Sequence, residues 1–200
     1  MHVAALLAAC LLGAANQSDA SGTVVGQVSG ADAAKLPEIV VYLAPADASV
    51  TFPPPKEPAV ISQKGATFAP ALLVISVGQS VEFHNDEDRP MDHNVFSRSP
   101  ARRFDLGLYP PPQYKSVTFD QPGAVVLFCS IHRKMNGVIY VCPTPFFARV
   151  DPDGKFQINN VPRGQWRLKT WQRKARYNDA DLPLTVSGAS TTGNLELKRQ

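Results

Sequence analysis

The sequence predicts an all-β protein, and three observations carry that expectation. No sustained period of three to four residues runs through the apolar positions, so amphipathic helices are not signalled. The apolar residues fall instead into short alternating or β-branched runs. Those runs are cut by 18 Pro and 13 Gly, the residues that punctuate turns. At 200 residues the chain can bury a real core, as one large or two small domains.

Taken in order, residues 1–20 read as a signal peptide. Val3 to Ala15 is the one long apolar run, too short to span a bilayer. Gly13-Ala14-Ala15 and Ser18-Asp19-Ala20 offer small-residue cleavage sites, although only His2 stands where a basic n-region belongs. A periplasmic or secreted protein is expected. Leu7-Ala-Ala-Cys10 also resembles a lipobox, so lipid attachment at Cys10 is a second reading. No later segment has the length of a transmembrane helix.

Gly22 to Val28 and Glu38 to Leu43 are strand-like. Leu72 to Phe83 predicts two short strands with a bend at Val77-Gly78-Gln79. Residues 98–114 read as a loop that closes on Pro110-Pro111-Pro112 and crosses between sheets. Tyr114 to Phe119 alternates, with Val117 and Phe119 inward. Ala124 to Phe128 is continuously apolar, as a strand buried on both faces would be. Gly137 to Val141 is a further apolar strand. Asp151-Pro-Asp-Gly154 predicts a hairpin between Phe146–Val150 and Lys155–Ile158, and Asn159 to Gly164 a second turn. In the following strand Trp166, Leu168 and Thr170 read as core. Arg167, Lys169 and Trp171 read as a charged outer face.

The most informative residues are Cys129-Ser-Ile-His132-Arg-Lys-Met135 and, upstream, Met91-Asp-His93-Asn94-Val-Phe96. Two imidazoles, a thiolate and a thioether suit neither magnesium nor calcium, and structural zinc sites rarely use Met. His93, Cys129 and His132 with a weak axial Met135 match the donor set of an electron-transferring copper centre. His84, just before Asn85-Asp-Glu-Asp88, could join a second site with those carboxylates or displace His93. An acidic loop at a strand end is more often solvated surface, and His84 is read that way.

If Cys10 leaves with the signal peptide, Cys129 and Cys142 remain, and an exported protein invites a disulfide between them. Cys129 sits among metal-type residues, whereas Cys142 ends an apolar strand and reads as a small buried hydrophobe.

Cys129-x2-His132-x2-Met135 resembles the copper loop of the cupredoxins, in the short spacing of amicyanin- and plastocyanin-like members, including the plastocyanin-like proteins of methylamine utilisation. Phe68 to Phe83 resembles the strand pair before the first copper His, and His93-Asn94 the family's His-Asn pair. The resemblance covers residues 59–143 and implies a Greek-key β-sandwich holding one mononuclear type 1 (blue) copper. It also implies that Asn94 ties the first-His loop to the Cys loop, and that His132 is the electron port. Residues 144–200 resemble a carboxypeptidase-regulatory-like (transthyretin-like) β-sandwich. Its missing first strands resemble residues 21–48, so the first sandwich is expected as an insertion within the second. In the plainer alternative, residues 21–48 extend the cupredoxin sheet.

The function this implies is an exported blue copper protein carrying single electrons between redox partners. The alternative is a copper-binding protein for delivery or storage. No enzyme is expected: Cys129 and His132 lack an orienting acid or oxyanion element. With four His, one in the signal peptide, a multinuclear oxidase centre is also excluded. Arg133 and Lys134 beside the port favour an acidic protein partner, unless both are merely solvated. A basic run of Arg163, Arg167, Lys169, Arg173, Lys174 and Arg176 could dock a partner or polyanion; nucleic acid is not expected for an exported protein.

Overall fold

The computed structural model describes residues 21–30, 38–173 and 177–199. The signal-peptide reading, Cys10, Lys174 and Arg176 lie outside them. Among the described residues there are strands and turns but no helix, and so none long and apolar enough to cross a membrane.

The strands are β1 (Ser21–Gly30), β2 (Ile39–Pro45), β3 (Ala59–Lys64), β4 (Thr67–Ala69), β5 (Leu72–Ser76), β6 (Ser80–Asn85), β7 (His93–Ser99), β8 (Arg102–Tyr109) and β9 (Tyr114–Thr118). They continue as β10 (Gly123–Phe128), β11 (Asn136–Cys142), β12 (Phe147–Arg149), β13 (Lys155–Pro162), β14 (Gly164–Gln172), β15 (Asp181–Val186), β16 (Ser190–Thr192) and β17 (Leu195–Leu197). An inner sandwich pairs the sheet β4-β3-β6-β9 with β5-β11-β10-β7-β8. Ile61, Phe83, Val95, Phe119, Leu127 and Ile139 fill the space between them. An outer sandwich pairs β13-β1-β16, with β17 also on β1, with β12-β2-β14-β15. Its core includes Val24, Val41, Leu43, Phe156, Trp166 and Leu168.

The N-terminal strands pair far down the chain. β1 runs antiparallel to β13, and β2 lies between β12 and β14. Neither pairs with a strand of the inner sandwich.

The two sandwiches meet face to face. Along β11, Ile139 and Val141 point into the inner core while Val138, Tyr140 and Cys142 point into the seam. Along β2, Ile39, Val41 and Leu43 face the outer core while Val40 and Tyr42 face the seam. Both strands are buried on two sides, which is why both read as unbroken apolar runs rather than alternating ones.

Several expectations are corrected here. The stretch read as a loop from residue 98 contains the eight-residue edge strand β8, antiparallel to β7. Its Arg- and Asp-containing sequence masks an alternation in which Phe104 and Leu106 pack on the core; only residues 110–113 cross to the other sheet. The Asp151 turn forms, with Asp151 Oδ1 accepting from Asp153 N at 2.9 Å and Lys155 N at 2.8 Å. Gly154 takes φ 81°, and a Cβ there would lie 2.6 Å from Val28 O. Its flanking strands nevertheless join opposite sheets, β12 on β2 and β13 on β1, so the turn is an arch and not a hairpin. Trp171 is not on an outer face: it stacks on Tyr140 in the seam, with centroids 4.3 Å apart. β10 is not sealed on both faces along its length, since Phe128 is 39% exposed.

Candidate metal centre

β7 begins at His93, and the loop joining β10 to β11 carries Cys129, His132 and Met135. The fold brings His93, Cys129 and His132 together, one ligand atom from each lying within 4.8 Å of the others. Cys129 Sγ is 3.6 Å from His132 Nδ1, and the two imidazole centroids are 4.9 Å apart. Met135 is buried in the same core cluster as Cys129, and its N–H donates to His132 O at 2.9 Å, closing the loop.

His93 is fully buried, and its two nitrogens have different fates. Nε2 lies 2.9 Å from Glu87 Oε1, while Nδ1 has no partner. A carboxylate on Nε2 keeps the proton there and leaves the Nδ1 lone pair free. An unpartnered buried nitrogen costs stability unless something binds it. Its neighbours, a thiol and a second imidazole, are donors suited to a soft or borderline metal ion.

Glu87 is tied down in turn. Its Oε1 also accepts from Ala66 N at 3.1 Å, and its own N–H donates to Asn85 Oδ1 at 3.3 Å. Asn85 Nδ2 donates to Met91 O and Tyr109 O, which fixes the turn leading into His93. The hydrogen bond from His93 holds the Glu87 carboxyl below the usual range; burial works against it, and the Ala66 N–H assists.

Asn94 links the segments that carry His93 and Cys129. Its Oδ1 accepts from Ser130 N at 3.2 Å, next to Cys129, and its Nδ2 donates to Asp105 Oδ1 at 2.6 Å. Asp105 reaches that position through a bulge. Asn94 pairs with Leu108 and Phe96 with Asp105, so β8 has one residue more than β7 at this point. Gly107 absorbs the distortion with φ 65°, and its N–H donates to Asp105 Oδ1 at 2.9 Å.

His84 is outside this group: its Nε2 lies 2.9 Å from Glu82 Oε2, and its ring stacks on Tyr114. Cys129 and Cys142 are both free and buried. Cys142 lies in the seam, where burial pushes its thiol pKa well up. Sequence reasoning missed Glu87 and Asp105. Asp105-x-Gly107 is a turn signal that could have marked the bulge. Glu87 carried no signal, because its acidic neighbours made the segment look solvated.

His132 is only half-buried, and Ile131, Arg133 and Lys134 around it are exposed. The loop therefore reaches the surface at His132 and is sealed at Cys129 and Met135.

No protein-family model and no curated protein matches the chain. Among solved structures it is similar to a purple cupredoxin from Nitrosopumilus maritimus, at 23% identity over 42% of this chain and 99% of that one, TM-score 0.38. It is similar to amicyanin from Paracoccus versutus at 20% identity over 50% of this chain and 98% of that one, TM-score 0.39. The copper-containing nitrite reductase of Thermus scotoductus SA-01 matches at 27% identity and TM-score 0.42; that likeness covers 50% of this chain but only 25% of the reductase.

Proposed function

We propose that this chain is an exported electron carrier with one type 1 copper, held by His93, Cys129, His132 and Met135. The observation that carries the reading is the buried, unpartnered Nδ1 of His93, whose other nitrogen is committed to Glu87 and which is grouped with Cys129 and His132. Bound there, copper would supply a one-electron Cu(I)/Cu(II) couple.

The protein's own contribution is rigidity and access. Glu87 fixes the tautomer and ring plane of His93, and Asn94 ties the Cys129 loop to β7. Burial of Cys129 and Met135 excludes water from one side. Half-exposed His132 leaves a route for the electron, and Arg133 and Lys134 beside it favour an acidic protein partner. The pairing of β1 and β2 with β12, β13 and β14 supports reading residues 59–143 as a domain inserted into a sandwich formed by 21–48 and 144–200.

The test is a visible absorption spectrum of residues 21–200 with one equivalent of Cu(II), beside Cys129→Ala. An intense thiolate-to-copper band, lost in the variant, is expected. Tight Cu(I) binding without colour would favour delivery or storage instead. Absence of copper binding would defeat both readings.

A further inference from the structure

Arg173 follows β14 and reaches from the outer sandwich to the metal loop. Its Nη2 donates to Asn136 Oδ1 at 3.2 Å, and its Nη1 lies 3.3 Å from Glu38 Oε2. Asn136 directly follows Met135, and its Nδ2 donates to Lys134 O at 2.9 Å. One amide side chain thus holds the loop backbone with its nitrogen and the outer sandwich with its oxygen.

The anchor behind Arg173 is firm. Glu38 is held through its other oxygen by Arg149 at 3.2 Å, and Arg173 N donates to Glu38 O. Two residues earlier, Trp171 stacks on Tyr140 of β11, the strand that Asn136 begins. An isolated exposed pair of this kind contributes little, because two long side chains must be ordered. Here the seam has already ordered the backbone on both sides, and the planar guanidinium spends one arm on each partner.

We propose that Arg173 is a positioning residue for the 129–135 loop, and that the outer sandwich buttresses the metal ligands. The inference rests on the copper reading above. It assigns the outer sandwich a mechanical part in one site, and the loop is held at its Met135 end by Arg173 as it is at its Cys129 end by Asn94.

The experiment compares Arg173→Ala, Arg173→Lys and Arg149→Ala in residues 21–200. Arg173→Lys keeps the charge and loses the fork; Arg149→Ala removes the other support of Glu38 without touching Asn136. In metal-free protein, amide hydrogen exchange at Met135 should be about 5–10-fold faster in both Arg173 variants and at most about 2-fold faster in Arg149→Ala, which only loosens Glu38. In copper-loaded protein, both Arg173 variants should shift the reduction potential and the intensity ratio of the thiolate-to-copper bands. Wild-type exchange in Arg173→Ala would overturn the proposal, as would full rescue by Lys or an equal effect of Arg149→Ala. A wild-type protein that never turns blue defeats the copper reading instead, and the exchange comparison still decides whether Arg173 positions the loop.

Discussion

Glu87 Oε1 lies 2.9 Å from His93 Nε2, with the two side chains 6% and 0% exposed. The carboxylate fixes the imidazole through Nε2 and leaves the buried Nδ1 unpartnered. Glu87→Ala should weaken binding of a Co(II) or Cu(II) probe by about 10–100-fold, the usual effect of removing such a partner. Glu87→Gln keeps an acceptor oxygen and should lose less. Competitive metal titration measures both, and wild-type affinity in the Ala variant would remove Glu87 from the site.

Asn94 donates to Asp105 and accepts from Ser130 N, so its two ends are not interchangeable. Asn94→Asp would set a carboxylate against Asp105, whereas Asn94→Ala only deletes the links. The Asp variant should be less stable than the Ala variant by about 1–3 kcal/mol at neutral pH. Chemical denaturation of the two variants side by side is the check.

The seam should fail in alkali. Burial raises the pKa values of Tyr42, Tyr140 and Cys142, which face it together. In the unfolded chain these groups ionise first, near ~8.5 for a thiol and ~10 for a tyrosine. Their contribution is therefore complete below those values and is lost as pH rises through them toward the folded values. Tm should fall steadily above pH ~9, and less steeply in Tyr140→Phe. Equal slopes for the two proteins would place the alkaline sensitivity elsewhere.

The chain leaves the outer sandwich and returns to it at one place. Leu43 N donates to Phe146 O at 2.9 Å, and Thr144 Oγ1 donates to Leu43 O at 2.6 Å. If the inner sandwich is an insertion, a short Gly-Ser link replacing residues 49–143 should leave a β-rich domain that melts cooperatively. Phe147 and Trp171 would then need polar replacements to keep the bared seam face soluble. A non-cooperative melt of that variant would count against an inserted domain.

The sequence was most legible where chemistry and spacing are local. Cys129, His132 and Met135 can be named as candidate ligands from donor type and spacing. His93 is chosen over His84 only through the resemblance of His93-Asn94 to the cupredoxin His-Asn pair, and Cys142 reads as a small buried residue from the apolar run it ends. Strand periods placed Val117, Phe119, Trp166 and Leu168 inward, and they are buried. The strand β8 was hidden because a bulge interrupts its alternation at Gly107. Trp171 was misplaced because strand alternation says which residues share a face, not what covers that face.

What the sequence by itself determined is an all-β chain with one set of candidate metal ligands, three of them on the segment from Cys129 to Met135. Only the tertiary structure decided that Glu87 turns inward to His93, that Trp171 stacks on Tyr140, and that Arg173 reaches Asn136. The physical reason is range: donor chemistry and side-chain period are set within a few residues. Pairing partners and seam contacts depend on segments tens of residues apart, whose cost of closure is repaid only when the whole core forms; Glu87 is six residues from His93, but the Ala66 N–H that also holds its carboxylate is 21 residues away.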